Sequence, residues 1–156
     1  MNRIRVQQEP IQIAAEQEAL FTGRPQVGAL VSFVGLMRDL NEGRPVSSMT
    51  LEHYPGMTEK ALETIAAEAA ARWDLLGLCI VHRVGPLTPL EPIVFVGVVS
   101  SHRANAFRAC EFLIDYLKTR APFWKKEKTE DGDHWVEARG TDAAAAERWL
   151  PESTPR

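Results

Sequence analysis

The run Ile93–Arg120, IVFVGVVSSHRANAFRACEFLIDYLKTR, decides the fold. Its first seven residues, Ile93–Val99, are apolar throughout, which reads as a central strand. Ser100-Ser101 then offers an N-cap. Ser101–Arg120 reads as one long helix, with Phe107, Cys110, Leu113, Ile114 and Leu117 as its buried stripe. Ala121-Pro122 ends that helix, because proline has no N–H to donate and disfavours helical geometry in the residue before it.

The segment after the break is chemically distinct. Phe123 and Trp124 stand beside Lys125, Lys126 and Lys128. The chain carries a net charge of −3, yet Lys118, Arg120, Lys125, Lys126 and Lys128 face only Glu127 within this stretch. Lys118 and Lys125 bracket the break. A cationic cluster beside aromatics, on a helix ending at proline, is the pattern of an anion or acyl-group site.

Outward from this run, Arg3–Gln7 alternates and reads as a short strand. Ile13–Phe21 reads as a helix, stopped by Thr22-Gly23 and Pro25. Gly28–Met37 reads as a buried strand, Leu40–Pro45 as a polar loop, and Ser47–His53 as a strand pairing with the one before it. Thr58–Trp73 is the clearest helix, with Leu62, Ile65, Ala66, Ala69 and Trp73 on one face. Leu78–Val84 reads as a strand. Pro86, Pro89 and Pro92 mark a loop that cannot continue a ladder. After the Asp131-Gly132 turn come a last strand, His134–Arg139, and an alanine-rich helix, Asp142–Leu150. Short connections between neighbouring strands indicate an α+β fold with a largely antiparallel sheet flanked by helices. No Gly-x-Gly-x-x-Gly follows a strand, so a dinucleotide fold is not indicated.

At 156 residues, 45% hydrophobic and 25% charged, the chain reads as one globular domain over residues 1–150 with a tail at 151–156. Its acidic balance argues against a nucleic-acid partner. No apolar run approaches a membrane span and the N-terminus lacks an apolar signal region. Cys79 and Cys110 lie in apolar runs and read as reduced core thiols, which places the protein in the cytoplasm. No cysteine or histidine pair has metal-ligand spacing, so no metal or other cofactor is expected.

Several residues are placed to carry chemistry. His102-Arg103 sits at a helix N-terminus, where exposed N–H groups and the dipole favour an anion and where acids are the usual occupants. The pair is either a solvent-facing one or an anion site. Arg38 and Arg139 stand at strand ends, and arginine's fork suits phosphate if several converge. Lys118 either meets the negative end of its helix dipole or is a partly desolvated amine able to act as base or nucleophile. Phe123 and Trp124 read as core, interface or stacking residues. His53, His82 and His134 are scattered and read as structural.

Together, LEHYPGMTEKAL (Leu51–Leu62), IVFVGVVSSHRANAF (Ile93–Phe107), DYLKTRAPFWKKE (Asp115–Glu127) and HWVEAR (His134–Arg139) resemble the large, catalytic subunit of molybdopterin synthase. The similarity runs from about Gly28 to Trp149. The resemblance implies an α/β hammerhead fold and a homodimer. It also implies a small ubiquitin-like sulfur-carrier subunit on each large subunit, making a heterotetramer. The carrier's C-terminal Gly-Gly thiocarboxylate would enter the pocket and supply sulfur to cyclic pyranopterin monophosphate (precursor Z), forming the dithiolene of molybdopterin. The family's active-site lysines fall on Lys118 and Lys125. Its anion- and pterin-binding positions fall on Arg38, His102, Arg103 and Arg139, with Lys126 and Glu127 continuing the binding loop.

The resemblance thus implies a sulfurtransferase of molybdenum cofactor biosynthesis. The residues alone also leave open a module that grips a carrier tail without chemistry, a Schiff-base lyase using Lys118, and a single-stranded nucleic-acid binder. A helix of about 20 residues is about 30 Å long, so His102 and Lys118 of one chain would not share a pocket; a pocket joining two subunits would bring them together.

Overall fold

The computed structural model describes residues 2–41, 43–136 and 140–150. Along the chain lie β1 (Asn2–Gln7), α1 (Ile13–Phe21), β2 (Ala29–Leu36), β3 (Leu40–Asn41), β4 (Arg44–His53), α2 (Met57–Arg72), β5 (Gly77–Arg83), β6 (Gly85–Leu87), β7 (Pro92–Ser100), α3 (Arg103–Arg120), β8 (Phe123–Thr129), β9 (Gly132–Val136) and α4 (Gly140–Glu147). The expected α+β class holds, with strands that are mostly antiparallel and four helices among the described residues. The strands form two sheets rather than one.

The first sheet has the order β1-β5-β7-β2. Only β1 and β5 in it run parallel; β5 with β7 and β7 with β2 are antiparallel. The central place expected for Ile93–Val99 is the one β7 takes, buried from Val94 to Ser100. Strand alternation divides its contacts. Val94, Val96 and Val98 join Leu78 and Ile80 of β5 in a core with Leu62, Ile65, Phe112 and Leu113 of α2 and α3. Phe95 and Val99 join Cys79, Val81, Ile11 and Leu20 in a second core, which includes α1.

The second sheet has the order β3-β4-β8-β9, with β6 also paired to β4. The pairing expected between Ser47–His53 and Gly28–Met37 does not occur. β2 spends its pairing on β7, from Ala29 opposite Ser100 to Leu36 opposite Pro92. The chain then leaves that sheet, and β4 pairs with β3, β6 and β8. A register shift between Val46 and Ser48 lets Val46, Met49 and Leu51 all face a small core with Met37 and Leu87. Leu40–Pro45 is accordingly not a plain loop: Leu40 and Asn41 pair with Pro45 and Arg44. Nor does the proline-rich stretch lack a ladder, since Pro86 sits in β6 opposite Thr50. A three-residue peripheral strand tolerates proline where a central one would not.

Three further expectations need correction. β2 is half-exposed rather than buried, because it lies at the edge of its sheet. α3 starts at Arg103, with His102 as its N-cap and no side-chain capping bond; buried Ser100 instead ends β7 and accepts the His102 N–H at 3.4 Å. Phe107 is 59% exposed. Ala106, Cys110, Leu113 and Leu117 form the buried face, and Phe107 is turned ~100° from Ala106. His134–Arg139 is a strand as far as Val136; residues 137–139, and the tail at 151–156, lie outside the described residues.

Phe112 ties α2, α3 and the C-terminal segment together. Its ring meets Trp73 edge-on at 5.3 Å, Tyr116 at 4.5 Å and Trp149 at 5.6 Å. Trp149 is held by its Nε1–H, which donates to Asp115 Oδ2 at 2.6 Å. Phe112→Ala removes a fully buried ring from three aromatic contacts, so unfolding in urea should show a loss of about 3–5 kcal/mol.

Candidate functional site

α3 ends by handing the chain from the first sheet's helical layer to the second sheet. Ala121 caps it, its N–H donating to Leu117 O at 3.3 Å. Phe123 N–H then donates to Ala121 O at 3.0 Å. The Pro122 carbonyl accepts the hydroxyl of buried Thr58 at 3.0 Å, and Thr58 Oγ1 in turn accepts the Tyr54 N–H at 2.9 Å. The loop into α2 therefore holds the break in place. Lys118 is exposed in the last turn of α3.

The stretch read as a cationic loop is strand β8. Lys125 lies opposite Leu51 of β4 and Val136 of β9. Lysines have poor strand preference, and it is pairing on both sides that makes this segment extended. The period of two separates its side chains. Phe123, Lys125 and Glu127 share one face. Trp124, Lys126 and Lys128 share the other, where Lys126 lies 3.7 Å from Asp133 and 5.8 Å from the Trp135 ring. Lys125 and Lys126, adjacent in sequence, thus point apart. Glu127 accepts a hydrogen bond from Asn41 Nδ2 at 2.9 Å, which ties β8 to the β3 hairpin.

His82, read from the sequence as a structural histidine, lies beside these elements. It interrupts an apolar run on β5 and is buried. Its ring stacks on Phe123 at 3.8 Å with 15° between planes. Nδ1 donates to Arg83 O at 2.8 Å; a carbonyl can only accept, so Nδ1 carries the proton and Nε2 is bare. Burial pushes its pKa down to about 4, and the charges of Lys118, Lys125 and His53 push the same way. Positive charge on α3 and β8 therefore acts on one neutral ring. His53 also lies 3.6 Å from Glu59. The available signal was a histidine inside LCIVHRV, where a buried polar group needs a reason.

The other candidates are spread out. Arg38 is exposed just after β2. The backbone beside it is pinned: Met37 exchanges bonds with Glu91 O and Leu90 N–H, and Asp39 O accepts from Val46 N–H. His102 and Arg103 are exposed at the start of α3, where no acid occupies the first turn. From Arg103 to Lys118 along α3 is about 22 Å at ~1.5 Å per residue. One chain does not bring these two groups together. Arg139 lies outside the described residues. Among the described residues, no cluster of three His, Cys, Asp or Glu could hold a metal, and no helix is long and apolar enough to cross a membrane.

The MoaE protein family matches residues 6–120. The chain belongs to that family. It is 61% identical to the molybdopterin synthase catalytic subunit of Pseudomonas aeruginosa, over 94% of this chain and 97% of that one. It is 56% identical to the protein of the same name from Ralstonia nicotianae, over 96% and 85%. Among solved structures, the molybdopterin biosynthesis MoaE protein from Burkholderia ambifaria superposes with a TM-score of 0.82 at 58% identity, covering 96% of this chain and 98% of that one. The family fold implied by the sequence resemblance is thus the fold present. As a MoaE protein it is the sulfur-transferring, catalytic kind of subunit of molybdopterin synthase, in molybdenum cofactor biosynthesis.

The low pKa of His82 makes the stability of this MoaE protein pH-dependent. The folded ring stays neutral down to about 4, whereas the unfolded chain takes up a proton near 6.5. Stability from this residue is therefore complete above pH 6.5 and falls as pH drops towards 4, by on the order of 3 kcal/mol. Urea unfolding from pH 7 to 4 should show that slope, and His82→Phe should flatten it.

Proposed function

We propose that Lys118 and Lys125 are the catalytic pair of this subunit, acting on precursor Z with sulfur from a carrier's C-terminal thiocarboxylate. The observation that supports this reading is that Phe123, on the same face of β8 as Lys125, stacks on His82, whose ring also feels the positive charge of Lys118 in the last turn of α3. Both reactants are anionic: one carries a cyclic phosphate, the other an acyl thiolate. Lys118 serves as general acid/base or as transient acyl acceptor. Lys125 orients substrate and stabilises developing charge. Arg38, His102, Arg103 and Arg139 bind the phosphate and pterin, and Lys126 and Glu127 border the site along β8.

The chain's own thiols do not fit the role of sulfur carrier. Cys79 and Cys110 are buried, and burial pushes each thiol up to about 12. A buried thiol that keeps its proton is a poor nucleophile. Sulfur is therefore supplied by a partner, and "catalytic subunit", the name its relatives carry, presupposes one. The partner in this reading is a small ubiquitin-like subunit, in a heterotetramer built on a homodimer in the cytoplasm.

Dimerisation also answers the distance along α3. Lys118 is exposed in the single chain, and His102 and Arg103 stand at the far end of the same helix. A two-fold dimer lets the α3 start of one subunit complete the lysine site of the other.

Mixing the protein with thiocarboxylated carrier and precursor Z should give dithiolene product. Lys118→Ala should lower its rate by about 10²-fold or more; an unchanged rate removes Lys118 from the chemistry. Lys118→Ala and Arg103→Ala chains, each inactive alone, should regain about a quarter of wild-type activity when co-assembled at random, since one site in each mixed dimer is intact. No recovery would place both residues in one chain's site.

A further inference from the structure

The hydrogen bonds at Ala121, Pro122 and Phe123 fix where β8 begins. The ladders to β4 and β9 fix its rotation and so which side chains share a face, but neither fixes how the start of the strand lies against the first sheet. The contact that does so is the flat stack of Phe123 on His82. His82 belongs to β5 in the first sheet and Phe123 to β8 in the second, so this contact bridges the two. With Phe123 facing His82, the period of two sends Lys125 to the same side. Lys118, in the last turn of α3, acts on the same ring through its charge.

The ring's own placement is over-determined. β5 is buried along its whole length and paired on both sides, to β1 and β7. The Nδ1–H bond to Arg83 O fixes the ring's plane and tautomer. A neutral ring also lets two ammonium groups approach without adding a third charge. The groups whose charge acts on it are Lys118 of α3, Lys125 of β8 and His53 of β4.

We propose that His82 is a positioning residue for sulfur transfer: its ring, acting through Phe123, anchors the start of β8 against the first sheet and so sets the placement of Lys125 relative to Lys118. This rests on the assignment of the two lysines as the catalytic pair. It gives both a buried histidine and an aromatic strand start a role in the reaction, although neither touches substrate.

The test uses the assembled enzyme with thiocarboxylated carrier and precursor Z. His82→Leu and Phe123→Leu each remove the flat contact, and each should lower kcat by about 10- to 100-fold with a smaller change in KM. The double variant should be no worse than the poorer single one, because both break the same contact. His82→Phe and Phe123→Tyr restore a flat ring and should recover most of the lost kcat. Additive losses in the double variant, or wild-type kcat in Phe123→Leu, overturn the proposal. So does an equal loss in the leucine and aromatic variants at both positions. Phe123 is only half-buried at a strand start, so its pair of variants decides the matter even if His82→Leu fails to fold. Absence of turnover in the wild-type enzyme is a separate outcome, and it counts against the functional reading itself.

Discussion

The break at Ala121-Pro122 is the constraint on which the rest depends. α3 packs on the first sheet along the face made by Ala106, Cys110, Leu113 and Leu117, and cannot turn while its backbone ladder continues. Proline ends the ladder, and Thr58 accepts the task of holding the freed carbonyl. Only then can Phe123 start a strand in a different sheet. Had the helix run on, Lys118 and Lys125 would lie on one rod, two turns apart. The break instead carries Lys125 into β8, on the face of Phe123.

Charge is the second organising feature. An acidic chain gathers cations at one place, which is unfavourable until anions arrive. Neighbouring bases are drawn off: Arg120 pairs with Glu68 at 2.8 Å and covers the Tyr116 ring, while Lys126 faces Asp133 and Trp135. Exposed pairs of this kind add little stability. Their effect is directional, since they fix where the Arg120 and Lys126 side chains point. The titratable group at the centre, His82, avoids charge altogether through burial. The result is positive charge gathered around a neutral ring.

Much of the fold was legible because it rests on local pattern. β7 and α2 follow from an unbroken apolar run and a one-sided apolar stripe, and α3 ends where Pro122 requires. The strand pairing was less legible. β4 follows β2 closely, which suggests a hairpin, yet β7 already occupies β2 and the small core of Met37, Met49, Leu51 and Leu87 draws β4 elsewhere. β8 was hidden for a related reason. Four of its seven residues are charged, and nothing in FWKKEKT announces a strand until β4 and β9 are placed on either side.

The site divides in the same way. Lys118, Lys125, Arg38, His102 and Arg103 could be singled out from the chain alone, because charge against an acidic background, a helix terminus and a strand end are local properties, and ordered motifs resembling a known family added roles to them. Tertiary structure alone decided which of these meet. It set Lys125 and Lys126 on opposite faces, separated Arg103 from Lys118 by the length of α3, and put His82 beneath Phe123. Such facts depend on contacts between segments far apart in the chain, such as β5 with β8. No local pattern encodes them; they follow from which surfaces are left to be covered once the two sheets have formed.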